Sequence, residues 1–210
     1  MKIETNIFFK YGYTKLDSAS EEFKFLRKYF DTTSKVQENY EQLYYFSMYK
    51  VNERDHEKVT GRSNNLMLFH GTNEKGATGI LKEGFLNSER GTLGKGVYMT
   101  NCSSTACFYS IQRIRRGTDE HYIFVNEVLE SEKLQTFQFS TKVMQHFNTK
   151  PKNQFEKHIY DSCSQPTEKD YIVDQLGRRY VNAVEIHPMD QYIAEASIVK
   201  PRYLIVLERK

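Results

Sequence analysis

Strand-like segments fill most of the second half of the chain, and this limits the folds open to it. Residues 121–129, HYIFVNEVL, alternate apolar and polar positions, and 170–184, DYIVDQLGRRYVNAV, carry two β-like arms around a Leu-Gly pair, which predicts a hairpin. Residues 191–199 and 201–207 predict a second strand pair, with Pro201 marking an edge or a strand start because proline has no N–H for a ladder. Helical patterns sit in the first half instead. Ser18 to Glu21 matches a capping box, and Phe23, Leu26, Tyr29 and Phe30 behind it fall on one helical face, ending near Thr32. Further helices are expected over 73–83, stopped by Gly84, and over 103–114. Residues 43–51, LYYFSMYKV, predict a strand between the first two helices. Runs of strands with segregated helices indicate an α+β fold rather than a doubly wound sheet.

A chain of 210 residues supplies one sizeable core, so a single domain over 1–210 is expected. Fifteen Tyr and fourteen Phe argue for an aromatic core and against disorder. Thirty basic and twenty-seven acidic residues are interspersed, which disfavours non-specific nucleic-acid binding; the densest cluster, Arg113, Arg115 and Arg116, reads as a solvated helix end. Cys102, Cys107 and Cys163 are odd in number and lack zinc spacing, which predicts no metal, no disulfide framework and an intracellular setting, cytoplasmic or nuclear. No apolar run approaches the roughly 20 residues of a membrane helix, and no secretory pattern opens the chain, so no membrane partner is expected.

Three segments place polar or glycine residues at the end of an apolar element. In 66–73, LMLFHGTN, a hydrophobic strand ends in His70, and Gly71 after it lets a ligand approach the backbone while His70 and Thr72 offer hydrogen bonds. Taken alone, His-Gly-Thr is equally a surface turn. In 91–100, GTLGKGVYMT, the glycines match neither a dinucleotide fingerprint nor a P-loop, and a flexible loop entering a strand at Val97 is the plain reading. In 189–193, MDQYI, an acid and an amide stand at a strand start. No HExxH, paired metal spacing or GxSxG elbow occurs.

In their order, strand-HGT, GILKEGF, the loop with GKGVYMT, a Ser-rich helix reaching Tyr109, and a late PRYLIV strand, these segments resemble the catalytic domain of the poly(ADP-ribose) polymerase family. The resemblance runs through nearly the whole chain. SEEFKFLRKYF at 20–30 is similar to the family's opening helix, FQFSTKVM at 137–144 to a tankyrase segment, and KPRYLIVLE at 200–208 to the closing strand. It points to the tankyrase-like or mono-ADP-ribosyltransferase branch, and implies a split, mostly antiparallel sheet that binds NAD⁺ as co-substrate, without a metal, and transfers ADP-ribose to a macromolecular acceptor with release of nicotinamide. Breaking the nicotinamide–ribose bond develops positive charge at the ribose, so the site must position both sides of that bond.

The resemblance implies that His70 bonds the adenosine ribose, that the Gly71 backbone grips the nicotinamide amide, and that Tyr98 and Tyr109 line and stack on the nicotinamide ring. The family's third position is commonly glutamate. Ungapped counting puts Asp190 there and a one-residue gap puts Gln191 there; the loss of glutamate implies transfer of single ADP-ribose units rather than chains. Where the family often has serine, Ala106 stands, with Ser104 and Thr105 as substitute hydroxyls, and Arg90 in the loop 86–93 is a candidate for the pyrophosphate. No regulatory or DNA-binding domain is expected, and a monomer with a protein acceptor is, a nucleic-acid acceptor remaining open. The rival readings are an inactive NAD- or ADP-ribose-binding module and an RNA 2′-phosphotransferase of the same fold.

Overall fold

A computed structural model describes residues 8, 10–34, 44–52, 65–89, 91, 94–112, 120–137, 171–173, 178–181 and 191–210. The segment 140–158, Asp190, Arg90 and the Leu-Gly turn of the expected hairpin lie outside them.

Ten strands, three α-helices and a short 3-10 turn at Ala196–Ile198 are described. The strands are β1 (Tyr13–Lys15), β2 (Tyr44–Val51), β3 (Asn65–Thr72), β4 (Val97–Met99), β5 (Glu120–Leu129), β6 (Leu134–Phe137), β7 (Tyr171–Val173), β8 (Arg179–Val181), β9 (Gln191–Ala194) and β10 (Val199–Arg209). The helices are α1 (Glu21–Thr32), α2 (Glu74–Glu83) and α3 (Ser103–Gln112). Seven strands form one sheet in the order β1-β2-β10-β5-β3-β8-β7, and β4-β9-β6 form a second. Among the described strands every pairing is antiparallel except β3 with β8, so the expected α+β class with a split, mostly antiparallel sheet is what the chain adopts.

Each helix starts where its sequence can satisfy the first free N–H groups. Ser20, rather than Ser18, caps α1, its Oγ accepting from the Phe23 N–H at 3.2 Å, so the capping-box assignment shifts by two residues. Asn73 caps α2 through Oδ1 and the Gly76 N–H at 2.8 Å, and Gly84 ends it with φ 79°.

The central strands are covered on both faces. Ile123, Val125, Ile205 and Leu207 pack with Leu26, Tyr29 and Phe30 of α1 and with Ala106 and Cys107 of α3. Tyr122, Phe124, Leu204 and Val206, their alternates, pack with Ala77 and Leu81 of α2. This explains why residues 121–128 are buried without interruption, against the half-exposed strand that the alternation predicts. The second sheet packs on the α2 face through Val97, Met99, Tyr192 and Ala194 against Leu66, Leu68 and Val128.

Two expectations are corrected. Residues 191–194 pair with β4 and β6, not with the strand at 201–207. That strand, β10, is central rather than at an edge, lying between β2 and β5. Pro201 is accommodated because the ladder with β5 shifts register between Pro201 and Tyr203, and pairing with β2 begins only at Tyr203. The missing N–H therefore breaks no rung. Of the expected 170–184 hairpin, the two arms pair antiparallel, with Tyr171 opposite Val181 and Val173 opposite Arg179.

A polar network ties α1 to the sheet. Tyr203 donates to Glu22 Oε1 at 2.7 Å, Arg178 Nη2 donates to the Tyr203 oxygen at 2.9 Å, and Lys50 Nζ donates to Glu22 at 2.9 Å. Burial pushes the Tyr203 phenol far above its usual range. Burial also pushes the Glu22 carboxyl up, but the hydrogen bonds from Lys50 and Tyr203 outweigh it and hold the group below its usual value.

Candidate functional site

β3 does not stop at His70. It stays paired with β5 through Thr72, opposite Tyr122, so His70 and Gly71 are ladder residues and not a turn. What ends is the pairing on its other edge. Phe69 exchanges both backbone hydrogen bonds with Thr100, at 2.7 and 2.9 Å, just past the end of β4. Alternation along an antiparallel strand then aims the N–H and C=O of Gly71 at the same edge as those of Phe69. Among the described residues nothing pairs with them. β3 thus loses one neighbour while keeping the other, and among the described residues its edge at Gly71 is open.

Gly71 has a second reason to be glycine. A Cβ on it would stand 1.7 Å from the carbonyl oxygen of Ala106, so α3 crosses directly against this rung. Ala106, whose carbonyl makes this contact through the backbone, is fully buried.

Leu66, Leu68, His70 and Thr72 share the opposite face of β3. The His70 Nδ1 lies 2.7 Å from the Tyr98 carbonyl oxygen, and a carbonyl only accepts, so Nδ1 carries the proton and Nε2 is the acceptor of the neutral ring. The ring of Phe85, just after the Gly84 cap, stands edge-on to His70 at 5.1 Å and to Phe124 at 5.8 Å. The sequence reading passed over Phe85; the signal available was an apolar residue directly after a helix-ending glycine, which commonly folds back on the core.

Tyr98 pairs with Ile193, and Gln191 is two residues from Ile193 on the same face, so the Tyr98 and Gln191 side chains project from one face of the second sheet. Tyr98 donates its hydroxyl to the Gly94 carbonyl at 2.7 Å. Its ring lies so close to Gly91 that a Cβ there would fall 1.9 Å from the phenol oxygen. Gln191 reaches α3, where its Nε2 donates to the Tyr109 hydroxyl at 2.7 Å.

His70, Gly71, Tyr98, Tyr109 and Gln191 are thus brought together from β3, β4, α3 and β9. Thr72 does not join them: it is buried, and its Oγ1 packs beneath the first turn of α2, where a Cβ on Gly76 would stand 2.1 Å away. Ser104 is also buried, its Oγ 3.1 Å from the Cys102 Sγ, while Thr105 in the same turn is half-buried. Arg90 and Asp190 fall outside the described residues, so of the two candidates for the third position only Gln191 is placed. Among the described residues no group of three His, Cys, Asp or Glu gathers for a metal, and no helix is long and apolar enough to cross a membrane.

A comparison with curated proteins finds no match. The family model described as the poly(ADP-ribose) polymerase catalytic domain matches residues 20–209, from the cap of α1 to the last residue of β10. With nine-tenths of its length under that model, the chain belongs to the poly(ADP-ribose) polymerase family through its catalytic domain.

Proposed function

We propose that the chain is an active NAD⁺-dependent transferase that attaches single ADP-ribose units to a protein acceptor. The observation that carries this is the convergence of His70, Tyr98, Tyr109 and Gln191 on the open edge of β3 at Gly71. The residues suit NAD⁺. The outward N–H and C=O of Gly71 match the acceptor and donor of a primary carboxamide, two tyrosine rings stand near for an aromatic amide, and the His70 Nε2 can accept from a ribose hydroxyl. Bound NAD⁺ supplies a ribose whose bond to nicotinamide breaks with loss of a neutral leaving group.

The protein's part is mainly placement. His70 is fixed by the Tyr98 carbonyl, Tyr98 by Gly94, and Gly71 by the ladder with β5, so these groups need little reorganisation when a ligand enters. The neutral amide of Gln191 can hold a ribose hydroxyl but cannot take its proton. Chain elongation needs a group that takes the proton of the attacking hydroxyl of an acceptor ADP-ribose unit, which an amide cannot do, and this supports single-unit transfer.

Incubation with labelled NAD⁺ and a cell extract, followed by a denaturing gel and a nicotinamide assay, tests the reading. Discrete labelled bands and nicotinamide release that His70→Ala and Tyr98→Ala abolish are expected. Polymer ladders would overturn single-unit transfer, and no release by the parent protein would favour a binding module.

A further inference from the structure

Tyr109 is 43% exposed, and the one ring neighbour it has among the described residues, Phe108 at 5.9 Å, is itself 52% exposed. A ring this open is not fixed by packing, and a free phenol there would sample several rotamers at an entropic cost to any ligand that needs one of them. What holds it is a bond from outside its helix, the 2.7 Å donation from Gln191 Nε2, which spans 82 positions of sequence and joins α3 to the first residue of β9. The backbone of Gln191 is in turn set by its place opposite Phe137 in the ladder with β6.

We infer that Gln191 is a positioning residue for Tyr109: it fixes the plane of the ring from β9, so that the stacking platform for an aromatic amide is aligned before the ligand arrives. This rests on the NAD⁺ reading above and adds a role separate from any contact with ribose. The phenol oxygen is the acceptor in this bond, so its own proton points elsewhere, and a carboxylate at position 191 would keep the link with the direction reversed, accepting from the phenol.

Nicotinamide itself tests the inference, because it has no ribose and a direct contact of residue 191 with a ribose hydroxyl cannot contribute to its affinity. Nicotinamide binding is measured by calorimetry for the parent, Gln191→Leu, Tyr109→Phe, the double variant and Gln191→Glu, each checked by its melting temperature. Gln191→Leu and Tyr109→Phe are each expected to weaken binding by about 3- to 10-fold, the worth of one neutral hydrogen bond. The double variant should lose no more than the weaker of the two singles, and Gln191→Glu should stay within about twofold of the parent. Parent-like nicotinamide affinity in Gln191→Leu, or losses that multiply in the double variant, would overturn it. If the parent releases nicotinamide from NAD⁺ while the coupling is absent, only this inference falls; if the parent binds neither nicotinamide nor NAD⁺, the functional reading falls and takes the inference with it. Should Gln191→Leu not fold, the comparison of Tyr109→Phe with Gln191→Glu still decides.

Discussion

The side chain of His70 is hydrogen-bonded to the main chain of Tyr98, Nδ1 to carbonyl oxygen at 2.7 Å, so the two residues that define the cleft wall belong to different sheets and hold one another. In the function proposed above, Nε2 is the ring atom that meets the ligand. Asparagine at position 70 can keep the donor to Tyr98 but has nothing in the place of Nε2. His70→Asn should therefore melt close to the parent while its KM for NAD⁺ rises roughly tenfold, as read by nicotinamide release. His70→Ala should lose both. Equal effects of the two substitutions on KM and melting temperature would contradict this division of roles.

Gly71→Ala tests the packing role of this glycine. The added methyl would meet the Ala106 carbonyl at 1.7 Å, and neither β3 nor α3 can yield without breaking rungs or helix bonds. A loss of about 1–3 kcal/mol is expected, several degrees in melting temperature, with activity lost alongside. An unchanged melting temperature would show that α3 does not press on this rung.

Glu22 gives a pH dependence with a definite direction. Its carboxyl titrates lower in the folded protein than in the unfolded chain, where the ordinary value is 4.5, because Lys50 and Tyr203 bond the charged form. Its contribution is therefore present in full above about pH 4.5 and is lost as pH falls through the lower, folded value. Denaturant midpoints compared at pH 6 and pH 3 should converge between the parent and Glu22→Gln as the pH drops. A gap that widens in acid would reverse the assignment.

The charge pair of Glu127 and Arg202 is buried, 5% and 8% exposed, and Asn65 donates to the same carboxylate. Removing one partner strands the other beside β5, so Arg202→Ala and Glu127→Ala should each destabilise by about 3–5 kcal/mol. Replacing both by apolar residues of similar size should recover most of the loss, which urea melts would show.

The local elements were legible in the sequence; of their partners, only the pairing of the two arms within 170–184 was. The apolar spacing of Leu26, Tyr29 and Phe30 marks α1, and Asn73 with Gly84 brackets α2, because helices are stabilised within their own segment. Strand pairing depends on residues far away: nothing near Pro201 announces that a register shift will let it enter a central strand, and nothing in QYIA announces that its partners are β4 and β6. The short β1 and β6 carry too few residues for a pattern and went unseen. The same limit applies at the site. His70, Gly71, Tyr98 and Tyr109 could be named from motif order, but Phe85 packs on His70 from another element, and the glycine at 71 is required by a helix 35 residues later. Counting alone left Asp190 and Gln191 open; Gln191 is placed, bonded to Tyr109, and Asp190 lies outside the described residues.

The open rung at Gly71 also bears on inhibition. A competitor that docks by completing this rung is held by main-chain atoms rather than by a side chain, and any side chain placed at position 71 collides with α3. Drug resistance at this floor would come at a loss of stability. Escape has to come from the walls, at Tyr98, Tyr109 or Gln191, and compounds that draw their affinity from the floor leave resistant variants the fewest routes.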